Sequence, residues 1–142
     1  MTGQPMRSEV EPWWRQAQAD LETARQMIPI SRHYAASWFA QQAVEKGLKA
    51  LYLERTVTLP PRTHDLEYLG RQVQAPPYIT DDLVHLNPAF GMARYPDSVG
   101  QHAPIDAISP SLAHEHLTAA ERVCGGWTNN SVSSRITIET VC

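Results

Sequence analysis

The chain has 142 residues, of which 42% are hydrophobic and 19% charged, and this composition fits one globular domain. Twelve basic and 15 acidic side chains give a formal net charge of -3. This balance argues against a protein that binds nucleic acid through bulk positive charge, while a local basic patch stays compatible with it.

Cysteine content and hydropathy restrict the class of protein further. The two cysteines, Cys124 and Cys142, form no CxxC pair, so the sequence indicates neither a zinc ribbon nor a disulfide framework. No stretch approaches the roughly 18 apolar residues of a membrane span, and the first residues lack the apolar run of a signal peptide. We therefore expect a cytoplasmic protein with free thiols and no membrane association.

Apolar periodicity predicts two long helices in the first half of the chain. In 8–28, alanine, leucine and tryptophan recur at three- and four-residue steps. In 31–55, many alanines and Gly47 form a stripe that is typical of the central helix of a bundle. The opposite side of this second helix is polar and carries Gln42, Glu45, Lys46 and Lys49.

Shorter helices are predicted downstream from their capping signals. Thr63 or Asp65 is suited to cap one helix, and Ser109 followed by proline opens the last one, which Gly125 and Gly126 end. The predicted helices are 64–73, then 80–86, which restarts with a kink as 88–94, and finally 111–124. About five helices without a convincing strand predict an all-α, up-and-down helical bundle.

The predicted bundle covers 1–127, and the composition changes after it. Residues 128–142 are rich in serine, threonine and asparagine and then alternate apolar residues. This segment fits a short strand, an oligomer contact or a mobile tail, and we favour the tail.

The stretch MARYPDSVGQH, residues 92–102, combines residue types that can cleave RNA without a metal. Arg94 can bind phosphate oxygens bidentately, and His102 can transfer protons near neutral pH. Seven residues lie between them, including Pro96 and Gly100, so the two would meet only across a loop or a subunit interface.

The alternative is that this stretch is structural. Arg94 would then interact with free carbonyls at a helix end, while Asp97 or Ser98 caps a turn. Two interpretations also apply to Lys46 and Lys49, which would either meet phosphate or form a solvated helix face.

No motif indicates a metal or a cofactor. His114 and His116 are two residues apart, so on a helix they point to different faces and cannot hold one ion, and solvated histidines are the simpler interpretation. Phosphate loops, GxGxxG and GxSxG are absent from the sequence.

Among the tryptophans, Trp14 and Trp38 suit packing, and Trp13 suits the rim of the core or a partner surface.

Several segments taken together resemble the HEPN domain family (higher eukaryotes and prokaryotes nucleotide-binding). They are WWRQAQADLETAR, HYAASWFAQQAVEKGLKALYL, HDLEYLGRQV, MARYPDS and a final alanine-rich helix, in family order over about residues 9–127. The resemblance implies an α-helical bundle, usually homodimeric, commonly encoded beside a minimal nucleotidyltransferase as a toxin–antitoxin-like pair.

Many members of that family are metal-independent ribonucleases in which an arginine is followed, after four to six residues, by a histidine. Here Arg94 matches the arginine, and His102 comes one residue too late. The resemblance is then to a branch without the histidine, in which Arg94, Tyr95 and Asp97 serve structure, dimerisation or the binding of nucleotide or RNA.

Three hypotheses follow. The first, which we favour, is a dimeric module that partners a nucleotidyltransferase and binds nucleotide or RNA phosphate near Arg94, helped by Tyr95, Asp97, Lys46 and Lys49. The second is a metal-independent endoribonuclease that uses Arg94 and His102. The third is a structural adaptor that contacts a larger complex.

Overall fold

A computed structural model describes residues 6–132, which form a bundle of helices without a strand in that range. The all-α prediction is therefore confirmed. The two long helices are α1 (Glu11–Met27) and α2 (His33–Thr56). The shorter ones are α3 (Leu66–Gln72), α4 (Pro77–Leu86), α5 (Ala89–Met92), α6 (Pro104–Ala107) and α7 (Pro110–Ala120).

Helix α2 is the central element, in contact with α1, α3, α5 and α7. Its small side chains permit close approach, because a Cβ atom added to Gly47 would lie only 3.1 Å from Cys124 Sγ. Cys124 is buried and donates its thiol hydrogen to the Ala43 carbonyl at 3.2 Å. Burial raises the pKa of this thiol to about 12. The predicted free thiol is therefore a core residue, while Cys142 lies outside the described residues.

Helix α3 is capped by Asp65, one of the two predicted candidates. The Asp65 carboxylate accepts hydrogen bonds from the backbone N–H groups of Glu67 and Tyr68, at 3.0 and 3.3 Å. The Asn87 side chain, at the end of α4, accepts a hydrogen bond from the backbone N–H of Leu66 and donates one to Asp65. The start of α3 and the end of α4 are thus joined by side-chain hydrogen bonds.

Replacing Asp65 by alanine should destabilise the protein by about 1 kcal/mol, because two N–H groups at the start of α3 lose their acceptor. Urea unfolding at neutral pH measures this loss. Asp65→Asn is the matched control, since asparagine caps helices about as well as aspartate. Equal destabilisation by both substitutions would contradict a role in capping.

Several helix boundaries differ from the prediction, among them the start of α4 and the end of α7. Helix α4 begins at Pro77 instead of residue 80, because a proline in the first helical turn has no N–H to leave unpaired. Helix α7 is capped by Ser109 as predicted, but Gly125 and Gly126 do not end it. Neither glycine adopts the positive φ that such a stop requires.

Helix α7 instead continues as a π-helical segment, Glu121–Trp127, and then helically to Val132. Thr128 and Val132 are buried, and the Thr128 hydroxyl donates to the Val123 carbonyl at 2.9 Å. Packing therefore extends past the predicted boundary at Trp127. The rest of the predicted tail, 133–142, lies outside the described residues. None of the helices within 6–132 has the length and apolarity that a membrane crossing needs.

Candidate functional site

Arg94 lies just beyond α5 and is exposed, and its guanidinium is surrounded by aromatic rings. Its Cζ atom lies 4.6 Å from the ring centre of Trp38, 5.2 Å from that of Phe90 and 4.8 Å from that of Tyr95. Within residues 6–132 it forms no ion pair with a carboxylate. We call Arg94 with Trp38, Phe90 and Tyr95 the arginine–aromatic cluster.

Three segments build this cluster. Trp38 comes from α2 and Phe90 from α5. Tyr95 lies in the extended segment after α5, and its backbone N–H donates to the Gly91 carbonyl at 2.9 Å. Trp38 and Phe90 contact each other with ring centres 5.6 Å apart. A surface cavity of about 400 Å³ opens beside the cluster, lined in part by Tyr34, Trp38 and Arg94. The guanidinium thus packs against aromatic rings and lines an accessible cavity.

His64 extends the cluster through its contact with Phe90. Its ring stacks on Phe90 with centres 4.2 Å apart and an angle of 18° between the planes. Its Nδ1 lies 2.9 Å from Glu45 Oε1. The imidazole side chain is 58% exposed and lines a second surface cavity of about 400 Å³. The imidazole therefore shares Phe90 as a neighbour with the arginine, and it is a different histidine from the one that sequence spacing proposes.

Glu45 and Lys49 form a buried ion pair beneath His64. Lys49 Nζ lies 3.0 Å from Glu45 Oε2, and the two side chains are only 8% (Lys49) and 6% (Glu45) exposed. Lys49 Nζ also faces the ring of Trp13, 5.7 Å from its centre. The interpretation of Lys49 as part of a solvated face is therefore wrong, because α1 covers this side of α2.

Lys46 forms a different ion pair. Its Nζ lies 2.6 Å from Asp20 Oδ2, a buried carboxylate on α1, and it also donates to Gln42 at 3.1 Å. The sequence places Lys46 and Lys49 among the phosphate-binding candidates near Arg94. Within the described residues both ammonium groups instead contact carboxylates inside the bundle.

Asp97 and His102, the other candidates of the 92–102 stretch, are both exposed. Asp97 lies in the short 3-10 turn Pro96–Val99, and His102 follows it with its backbone N–H on the Val99 carbonyl. Among residues 6–132, no hydrogen bond, ion pair or ring contact joins the side chains of His102 and Arg94. The structure therefore does not bring these two predicted partners together within one chain.

The histidines of α7 point to different faces, as their spacing predicts. His114 is exposed and bonds the Pro110 carbonyl, whereas His116 is buried with its Nδ1 2.8 Å from Ser37 Oγ. The expectation of solvated histidines is wrong for His116. Burial and the neighbouring His85 lower the pKa of His116 to about 4. The described residues hold no group of three potential metal ligands.

Sequence reasoning misses Trp38, Phe90 and His64 as members of the site. It assigns Trp38 to packing, which is correct but incomplete, since its ring also contacts the Arg94 guanidinium. A signal for His64 exists in Gln41, Glu45 and Lys49, which recur every four residues along α2. Such a polar stripe on a helix that is covered on several sides requires partners from other segments.

These features define an all-helical domain with an arginine–aromatic cluster at the end of a short helix. The sequence matches the model of the HEPN domain over residues 10–127, so the chain belongs to the HEPN family. No curated protein matches the sequence significantly.

Two solved structures resemble the fold. TT1696 from Thermus thermophilus superposes with a TM-score of 0.78 at 22% identity, over 91% of this chain and 99% of its own. ST0689, described as an archaeal HEPN homologue, gives a TM-score of 0.73 at 28% identity, over 87% of this chain and 97% of its own. The first supports the fold alone, and the second agrees with the family assignment.

Proposed function

We propose that this protein is a dimeric HEPN module that binds the phosphate of a nucleotide or RNA at Arg94. It would act with a minimal nucleotidyltransferase in a toxin–antitoxin-like pair. The observation that carries the binding proposal is an exposed guanidinium held on three rings, with no carboxylate partner in the described part of the chain.

The geometry suits a phosphate ligand. A guanidinium whose faces contact rings keeps its N–H groups at the edge, where they can donate two parallel hydrogen bonds to phosphate. Because the rings already restrict the arginine, binding costs less side-chain entropy than it would for a free arginine. Tyr95 is 44% exposed and offers a ring on which a base can stack.

Replacing Arg94 by alanine should weaken RNA binding about tenfold or more, since a hydrogen bond to a charged group contributes roughly 1.5–3 kcal/mol. Fluorescence anisotropy of a labelled single-stranded RNA measures the affinity. Arg62→Ala, which removes an equally charged and exposed side chain outside the cluster, controls for net charge. Similar affinities for the two variants would contradict a phosphate site at Arg94.

The dimer and the partner are supported by membership of the family and are tested separately. Sedimentation of the purified protein measures its oligomeric state, and a pull-down with a minimal nucleotidyltransferase measures the pairing. A monomer that shows no affinity for such an enzyme would overturn this part of the proposal.

The second candidate function is a metal-independent endoribonuclease. It is favoured by the presence of Arg94 and His102 in one exposed segment, although His102 would have to act from another copy of the chain. Cleavage of a mixed RNA pool in EDTA, lost in both Arg94→Ala and His102→Ala, would support it. Cleavage that survives His102→Ala would remove His102 from the mechanism.

A further inference from the structure

The pairing of His64 with Glu45 fixes which ring nitrogen carries the proton. An ionised carboxylate only accepts hydrogen bonds, so His64 Nδ1, at 2.9 Å from Glu45 Oε1, is the protonated nitrogen of the neutral ring. Nε2 then carries a lone pair. Nδ1 is engaged and one face of the ring stacks on Phe90, while the side chain as a whole stays 58% exposed. This is the arrangement of a histidine prepared to accept a proton.

The Glu45 carboxylate is held in place by its own neighbours. Lys49 Nζ holds its other oxygen at 3.0 Å, and Gln41 Nε2 lies 3.5 Å from the oxygen that faces His64. Gln41 Nε2 also donates to the His64 backbone carbonyl at 3.3 Å. The carboxylate and the backbone of the histidine are therefore both contacted by one buried side chain of α2, that of Gln41.

His64 and Arg94 share one aromatic neighbour. The Phe90 ring centre is 4.2 Å from the centre of the imidazole and 5.2 Å from Arg94 Cζ. The two groups are therefore no further apart than the sum of these distances. A proton acceptor and a cation within this limit of each other can both act on one phosphodiester group.

We propose that His64, oriented by Glu45, is the proton-transferring residue of this site and acts with Arg94 on an RNA phosphodiester. The inference rests on the proposed binding of RNA phosphate at Arg94. It assigns to His64 the role that sequence spacing gives to His102. Glu45 is a positioning residue, because its contact is with the imidazole.

The reaction balances without a further reactant. Nε2 takes the proton of the ribose 2′-hydroxyl while that oxygen forms its bond to phosphorus. The bond from phosphorus to the 5′-oxygen breaks, and the imidazolium returns the proton to this leaving oxygen. Arg94 stabilises the negative charge on the phosphate oxygens. The products are a 2′,3′-cyclic phosphate and a 5′-hydroxyl end.

The test is the cleavage of a labelled RNA in EDTA by the full chain, with binding measured in parallel. His64→Asn is the decisive variant, because the asparagine amide can still donate to Glu45 but has no titratable nitrogen. His114→Asn, on the exposed face of α7, is the matched control. We expect His64→Asn to cut slower by about 100-fold or more, the usual share of acid–base catalysis, and His114→Asn to cut at the normal rate.

The pH profile separates catalysis from a structural role. The charged groups around His64 are Glu45 and Lys49 on α2, Asp65 and Glu67 at the start of α3, and Arg94 after α5. With Nε2 acting as a base, the wild-type rate should rise with pH, because only the unprotonated nitrogen can accept the proton of the 2′-hydroxyl. This rise should disappear in His64→Asn.

The outcomes distinguish the two proposals. RNA that is bound through Arg94 but not cleaved would overturn the assignment of His64 and leave the binding proposal standing. Equal cleavage by His64→Asn and wild type, or loss of cleavage in His102→Asn instead, would do the same. RNA binding that does not depend on Arg94 would overturn both proposals.

Discussion

Replacing Glu45 by leucine should destabilise the protein by about 3–5 kcal/mol, which is the usual cost of removing one partner of a buried ion pair. The reason is that Lys49 would remain inside the bundle without its carboxylate. Its ammonium lies 3.0 Å from Glu45, and both side chains are less than a tenth exposed. Urea unfolding followed by circular dichroism measures the free energy of unfolding.

The matched control is the double variant Glu45→Leu with Lys49→Met. It removes both charges and fills the same space with apolar atoms, which is often neutral or stabilising for a buried pair. We therefore expect the double variant to recover most of the stability that the single variant loses. A double variant as unstable as Glu45→Leu would mean that lost packing around Glu45, and not the unpaired ammonium, causes the effect.

Local patterns predict most of the helical architecture. The long helices follow from apolar residues at three- and four-residue steps, and the buried positions Ala17, Leu21 and Ala24 of α1 lie at such steps. The caps at Asp65 and Ser109 follow from short-range hydrogen bonding that the sequence displays directly. These features depend only on residues close in the chain, which is why a single sequence is enough to find them.

Local patterns do not predict that the polar side of α2 is buried. Periodicity places Glu45 and Lys49 on the polar side of the helix, and residues four apart do contact each other there. It cannot show that Trp13 of α1 and the segment before α3 cover them. Burial is decided by which helices pack on that side, and this is a property of the tertiary structure.

The candidate site shows more directly what a single sequence does not predict. Motif spacing searches for a histidine shortly after Arg94 and finds His102, which the structure leaves in an exposed loop. The histidine that shares Phe90 of α5 with the arginine comes from the segment just before α3. Residues that meet by the packing of separate helices leave no spacing signal in one sequence.

The stability of the protein should fall as the pH decreases below neutrality, with His116 as a main cause. Burial and His85 lower the pKa of His116 from 6.5 to about 4. Above 6.5 the imidazole is neutral in both the folded and unfolded states and contributes nothing to this pH dependence. Between 6.5 and about 4 the unfolded chain takes up the proton and the folded protein does not, so folding becomes less favourable.

The expected loss by pH 4 is on the order of 3 kcal/mol from this group, at about 1.4 kcal/mol for each unit of pKa. His116→Asn tests the assignment, because its amide can keep the bond to the buried Ser37 hydroxyl while having no proton to gain. Urea unfolding of both proteins over this pH range should show a clearly smaller loss for the variant. His114→Asn, which replaces an exposed histidine of the same helix, should behave like wild type. Parallel stability curves for wild type and His116→Asn would assign the acid sensitivity to other groups, because the packing of His116 against Ser37 would then not exclude its charged form.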